Sequence, residues 1–161
     1  MFGESIKIGL EDFLVKDVAE NEQFYLKQHG KYEDLIGEVT ISGYHFNKDI
    51  SNMKDHELWK YKFNSYVAIN KKEKLLFIAK VKNISEPYEI WWQVLNKEKE
   101  AIKADSIRGE FTIEGKYIKD NTARYQRKEE TSYSGTHWIR CFVIKNNICY
   151  AKSAKFYVKV N

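Results

Sequence analysis

The stretch THWIRCFVIKNNICYAKSAKFYVKV, residues 136–160, carries β-branched and aromatic residues on both sides of a turn. The turn is the pair Asn146-Asn147, and asparagine tolerates the positive φ angles that a tight hairpin requires. The stretch therefore predicts antiparallel strands joined by a short hairpin.

The register of this hairpin bears on the two cysteines of the chain. A two-residue loop would place Ile144 opposite Cys149 and Cys141 opposite Lys152. Because successive side chains of a strand alternate between faces, the two cysteines would point to opposite sides of the sheet. This register argues against a disulfide between them.

Segments of the same texture extend toward the N-terminus, separated by turn residues: EVTISGYHF (38–46), ELWKYKFNSYVAI (57–69), LLFIAKV (75–81), YEIWWQVL (88–95) and IRGEFTIE (107–114). Their period-two alternation predicts an all-β, antiparallel, immunoglobulin-like β-sandwich of about seven to nine strands. Residues 35–161 would form this domain.

Two segments have a helical pattern instead. LEDFLVKDVAENEQFYLKQ, residues 10–28, repeats apolar residues at helical spacing and predicts an N-terminal helical segment over residues 1–34. KEKEAIKAD, residues 97–105, predicts one short helix between strands.

Composition limits the classes of function. The 161 residues fit one domain, and 27 basic against 23 acidic residues give a net charge of +4. This charge permits an anionic partner, but the sequence lacks the dense basic clusters of a dedicated duplex-DNA binder.

The scattered histidines and the two cysteines lack zinc-ligand spacing, so we expect no metal and no cofactor. No apolar run approaches the roughly 20 residues of a membrane span, which predicts a soluble, cytoplasmic protein.

The segment GKYIKDNTARYQRK, residues 115–128, mixes cations with aromatic rings and is expected to be a loop. Rings beside cations suit bases and phosphates together. The candidate ligand-binding residues of this segment are Tyr117, Arg124, Tyr125, Arg127 and Lys128. The alternative is a solvated loop whose charges maintain solubility.

A pair of tryptophans stands in the strand around residues 88–95. Trp92 shares a face with apolar residues and is expected in the core. Trp91 has polar neighbours, so either it is exposed and stacks on a base or it lies under the N-terminal helix. Arg108, beside Gly109, could grip a phosphate in a two-pronged way or pair internally with Glu129 or Glu130.

The stretch KEETSYSGTH, residues 128–137, leads into a strand in which His137 begins an apolar row. A histidine there needs hydrogen-bond partners, and Glu129, Thr131 and Tyr133 stand near it in sequence. The stretch predicts a structural brace from Glu129, Thr131 and Gly135. His137 either belongs to that brace or contacts a ligand.

No catalytic motif is recognisable in the chain. The sequence lacks G-x-S-x-G, HExxH, GxxxxGK[ST] and GxGxxG. Nothing groups a nucleophile with a base and an orienting residue, so a non-enzymatic protein is expected.

Three segments together resemble a known family: EPYEIWWQVLNKEKEA (86–101), SIRGE (106–110) and RKEETSYSGTHWIRCFVIKNNICYAKS (127–153). They are similar to the AGS-C domain, a C-terminal sensor domain that follows nucleotidyltransferases of bacterial antiviral operons. The matching positions are Pro87, Tyr88, Trp91, Trp92, Val94, Asn96, Arg108, Gly109, Glu129, Thr131, Tyr133, Gly135, His137, Trp138, Cys141, Phe142, Lys145, Asn146, Cys149 and Ala151. The likeness is good over residues 84–160 and loose over residues 35–83.

The chain departs from the family pattern at Glu98 and Asn147, where glycine is frequent, and at Ser153, where an acidic residue is frequent. The resemblance implies the sensor part without a nucleotidyltransferase. It implies a protein that binds a nucleotide, cyclic oligonucleotide or nucleic-acid fragment in antiphage signalling. The alternative is a protein-interaction module that regulates a nucleotidyltransferase in trans or recognises a phage protein.

Overall fold

A computed structural model describes residues 32–50, 52–95, 111–114, 116–119 and 122–161. The N-terminal helical segment, the helix at residues 97–105 and Arg108 with Gly109 were predicted in parts of the chain that lie outside these ranges. Those predictions stay untested.

The described residues are mostly β-strand. Twelve strands and one 3-10 helix follow each other as β1 Tyr32–Glu33, β2 Glu38–Phe46, the 3-10 helix Asp55–Tyr61, β3 Lys62–Phe63, β4 Ala68–Ile69, β5 Lys74–Lys82, β6 Glu89–Leu95, β7 Phe111–Glu114, β8 Lys116–Lys119, β9 Thr122–Glu130, β10 Gly135–Lys145, β11 Ile148–Lys152 and β12 Phe156–Val160. The all-β class is confirmed. The strands exceed the predicted number because several of them have only two residues.

The strands form two sheets. In the first sheet the long strand β10 pairs with β6 along one edge and with β11 and β12 along the other, and β7 extends the sheet beyond β6. The second sheet has the order β3-β2-β5-β9-β8 and is antiparallel throughout. The first sheet is mixed rather than fully antiparallel, because the short strands β1 and β4 run parallel to β11 and β12.

One apolar core takes side chains from both sheets. Trp92 and Ile139 of the first sheet belong to the same buried cluster as Val39, Phe77 and Tyr125 of the second. Trp92 is fully buried, which confirms its predicted place in the core. The immunoglobulin-like arrangement stays a prediction.

The hairpin between β10 and β11 forms at the predicted turn, where Asn146 and Asn147 have φ angles of 51° and 65°. Ile144 lies opposite Cys149 as expected. A β-bulge then shifts the register, so Phe142, rather than Cys141, faces Lys152. Cys141 belongs to the core between the sheets, and Cys149 packs in a separate cluster with Trp91, Phe142 and Ile144.

Two predictions of local structure are wrong. The first five residues of ELWKYKFNSYVAI, 57–61, were expected as strand and form the end of the 3-10 helix. Leu58 of that helix is buried on Phe46 and Leu76, and the Lys54 N–H donates to the Glu57 carboxylate at 3.1 Å. The segment 115–128, expected as loop, contains β8 and most of β9.

Membrane insertion by a helix has no support in the described part of the chain. No helix there has the length and apolar character needed to cross a bilayer.

We expect Cys141 to resist thiol reagents in the folded protein. Burial raises the pKa of its thiol from 9.0 to about 12, so only about one molecule in 10⁴ carries the reactive thiolate at pH 8. Labelling with a chromogenic disulfide at pH 8 should therefore be slow and should accelerate on addition of urea. Labelling of Cys141 at the rate of a free thiol without denaturant would contradict this expectation.

The same shift gives a pH dependence of stability. Because the folded-state pKa of Cys141 exceeds its ordinary value, its stabilising contribution is complete below about pH 9 and is lost as the pH rises toward 12. The Cys141→Ala variant lacks this titration. Its urea midpoint should fall less than that of the unchanged protein between pH 8.5 and pH 10.5. An equal fall in both proteins would show that Cys141 does not cause this pH dependence.

Candidate functional site

A cavity of about 210 Å³ lies between the two sheets where β9 ends and β10 begins. Its floor is apolar and comes from both sheets: Leu75, Phe77, Val94, Ile139 and Val158. Its rim is polar and consists of residues 129–133 together with His137. The stretch KEETSYSGTH thus forms the entrance to a cavity.

Strand alternation brings Glu129 to this cavity. Leu75 of β5 lies opposite Glu129 of β9, and Phe77 lies opposite Arg127, so these four side chains share the face of the second sheet that meets the core. The Glu129 Oε1 atom accepts hydrogen bonds from Nε and Nη2 of Arg127, both at 2.9 Å. The carboxylate therefore lies fixed and mostly buried at the cavity wall.

Thr131 anchors the rim to the turn between β4 and β5. Its hydroxyl donates to the Asn70 carbonyl at 2.8 Å and accepts the Glu73 N–H at 2.8 Å. The backbone adds two hydrogen bonds, from Lys72 N–H to the Thr131 carbonyl and from Thr131 N–H to the Glu73 carbonyl. The brace lies at the predicted residue but holds a turn far away in sequence, rather than His137.

The anchoring turn has its own polar support. The Glu73 side chain, almost fully buried, accepts the Asn70 N–H at 2.9 Å and contacts Nδ1 of His45. The His45 ring packs edge-on against Phe63, which belongs to the core. The rim is therefore tied to the core through Thr131 and Glu73.

His137 faces the cavity from the first sheet. Its Nε2 atom lies 3.0 Å from the Tyr133 carbonyl oxygen. Since a carbonyl only accepts hydrogen bonds, Nε2 carries the proton, and Nδ1 is the acceptor atom of the neutral ring. Gly135, with a φ of 116°, permits the reversal that brings Tyr133 back to His137, because other residues rarely adopt this angle.

The other predicted ligand-binding residues do not assemble here. Trp91 is buried against Phe142, with its indole N–H donated to Glu89, and Tyr125 is buried in the core. Neither ring therefore offers a face to a ligand as it lies. The prediction that Trp91 and Tyr125 stack on a base does not agree with these buried positions.

The basic residues of β9 are divided between two faces of the sheet. Arg124 binds Asp55 at 2.9 Å and Gln126 at 2.7 Å, and the exposed Lys128 lies opposite Leu76, on the face that packs against the 3-10 helix. Tyr117 lies in β8 opposite Arg124, and its side chain is outside the description. The predicted basic site is not formed as one surface. Arg127 is not among the residues that line the cavity, and it contacts the lining residue Glu129 through hydrogen bonds.

Sequence reasoning found the rim and missed the floor. Leu75, Phe77 and Val158 were read only as apolar strand residues, since nothing in their pattern distinguishes a cavity floor from filled core. Asn70 and Glu73 were missed because they precede Thr131 by 58 residues or more, and no local signal connects them to it.

The groups that line the cavity are suited to binding a ligand. Within the described ranges, no group of three His, Cys, Asp or Glu side chains could hold a metal ion. The cavity offers a fixed carboxylate, an imidazole and an apolar floor.

Comparison with known proteins adds one finding. The family model described as "Adenylyl/Guanylyl and SMODS C-terminal sensor domain" matches residues 22–161. No curated protein matches the chain.

Proposed function

The chain belongs to the AGS-C family of C-terminal sensor domains, and from this premise we propose that it is a non-enzymatic ligand sensor of a bacterial antiphage nucleotide-signalling system. Its ligand is a nucleotide, a cyclic oligonucleotide or a nucleic-acid fragment. The sensor works in the cytoplasm, and residues 35–161 form the sensing domain.

The cavity at the end of β9 carries this proposal. Small-molecule sites are concave and mostly apolar, with a few placed polar groups that fix the orientation of the ligand. The cavity combines the apolar floor, the Glu129 carboxylate and His137 in this way. The brace from Thr131 holds the rim in position and supports a preformed site.

A second candidate function rests on exposed apolar side chains. Trp59 is 71% exposed on the 3-10 helix, and Tyr66 is 62% exposed after β3. Tyr66 stacks on Tyr157 with ring centroids 4.5 Å apart. Exposed aromatic residues are enriched at protein interfaces, so these residues favour a protein-interaction module that regulates a nucleotidyltransferase in trans or recognises a phage protein.

Calorimetric titration at low salt tests the sensor proposal, with nucleotides, cyclic oligonucleotides and short RNAs as probes. We expect one class to bind saturably and His137→Ala to weaken that binding by at least tenfold. The matched control is Lys128→Ala, which changes an exposed residue on the other face of β9 and should leave the affinity within about twofold.

Two outcomes would reject the proposal. One is the absence of saturable binding by every probe, and the other is equal loss of affinity in His137→Ala and Lys128→Ala. In either case, capture of a nucleotidyltransferase or phage protein by the unchanged chain, and its loss in Trp59→Ala or Tyr66→Ala, would establish the interaction module instead.

A further inference from the structure

We infer that the cavity binds its ligand base-first, with one nucleobase inside and the phosphate groups outside. This inference rests on the proposed function and specifies which part of the nucleotide the site recognises. Three features of the cavity carry it: its polar lining, its size and its floor.

The polar lining is suited to hydrogen-bond donors and not to an anion. Glu129 and Glu130 both line the cavity, and none of the described lining residues is a lysine or an arginine. The nearby cation of Arg127 is already bound to Glu129 through two nitrogens. A phosphate placed inside would lose its water without a lysine or arginine partner among these lining residues, which is unfavourable in a partly buried site.

The donor pattern of a nucleobase matches this lining. Adenine, cytosine and guanine carry exocyclic amino groups that donate hydrogen bonds, and carboxylates accept from such groups. The Nε2 proton of His137 is directed to the Tyr133 carbonyl, so that Nδ1 is an acceptor when the imidazole is neutral. The site therefore offers acceptors where an amino-bearing base offers donors.

The size of the cavity also fits one ring system. Its volume of about 210 Å³ is below the roughly 300–1,000 Å³ typical of sites for drug-sized ligands. A complete dinucleotide would not enter it. Phe77 and Ile139 on opposite sheets give the floor the apolar character that a flat heteroaromatic ring requires.

Competition experiments on the unchanged protein test the inference without any substitution. Adenosine, guanosine and cytidine are compared with ribose 5-phosphate and inorganic phosphate. We expect at least one nucleoside to bind within about tenfold of its nucleotide, and ribose 5-phosphate to show no competition at millimolar concentration. Raising the salt from 50 to 300 mM should change nucleoside affinity less than twofold.

The Glu129→Gln substitution should change the ligand affinity in opposite directions for the two orientations. In base-first binding the lost carboxylate should weaken the nucleoside about tenfold. In phosphate-first binding the lost negative charge should tighten the nucleotide. A thermal midpoint close to that of the unchanged protein would show that the variant is folded. If the variant does not fold, the competition experiments on the unchanged protein still test the orientation.

The outcomes separate the two proposals. Competition by ribose 5-phosphate, or tighter nucleotide binding in Glu129→Gln, would overturn the base-first orientation and leave the sensor function intact. Failure of all nucleotides and nucleosides to bind would overturn both.

Discussion

The Trp92→Ala variant is expected to lose about 3–5 kcal/mol of unfolding free energy, the usual cost of truncating a large buried aromatic residue. Trp92 is fully buried and is the largest of the side chains with almost no exposure. Its side chain belongs to the buried cluster that takes residues from both sheets, so the cavity left behind would open between the sheets. Since domains of this size are stable by only about 5–15 kcal/mol, this loss would remove a large part of the stability.

Urea denaturation followed by circular dichroism measures this loss, and the chain provides a matched control. Trp59 is 71% exposed, so Trp59→Ala should change the unfolding free energy by no more than about 0.5 kcal/mol. Equal midpoints for the two tryptophan variants would show that Trp92 is not part of the core.

The strands could be predicted from sequence wherever one face is apolar and the turns are marked. β2 begins and ends at the residues expected for it, Glu38 and Phe46. The turn at Asn146-Asn147 forms because two adjacent asparagines accept positive φ angles. The bulge after this turn was not predicted, because an extra residue in one strand leaves no compositional mark.

The failures have a different physical cause. Residues 115–128 were expected as a loop because of their charge, yet β9 places Tyr125 and Arg127 on the inner face and Arg124 and Lys128 on the outer face. A cluster in sequence therefore becomes two separate surfaces in a strand, since alternate side chains point in opposite directions. A loop would have kept these residues together.

The sequence predicted which residues belong to the candidate site but not the contacts that these residues make. Glu129, Thr131 and His137 were identified because polar residues before an apolar strand row require an explanation. Their roles depend on long-range neighbours: Thr131 on Asn70 and Glu73, and Glu129 on its strand partner Leu75. Such contacts depend on the order of the strands in the sheet. The residue pattern of the individual strands does not determine that order.

The second large effect is expected at Thr131. In the Thr131→Val variant the shape is retained and the hydroxyl is lost, so the buried Glu73 N–H loses its acceptor and the Asn70 carbonyl loses its donor. An unsatisfied buried polar group costs about 1–3 kcal/mol, and a loss of that size is expected in urea denaturation. Because the rim loses its anchor, ligand affinity should also fall, by tenfold or more.

The Thr131→Ser variant separates the hydroxyl from the rest of the side chain. Serine keeps both hydrogen bonds and removes one methyl group, which should cost about 1 kcal/mol and leave ligand affinity within about threefold. If valine were tolerated as well as serine in both measurements, the anchoring hydrogen bonds would not hold the rim. If valine lowered stability but left affinity unchanged, the rim would not depend on the turn between β4 and β5. Loss of both in valine, with recovery of both in serine, would show that one hydroxyl links the stability of the sheets to the shape of the binding cavity.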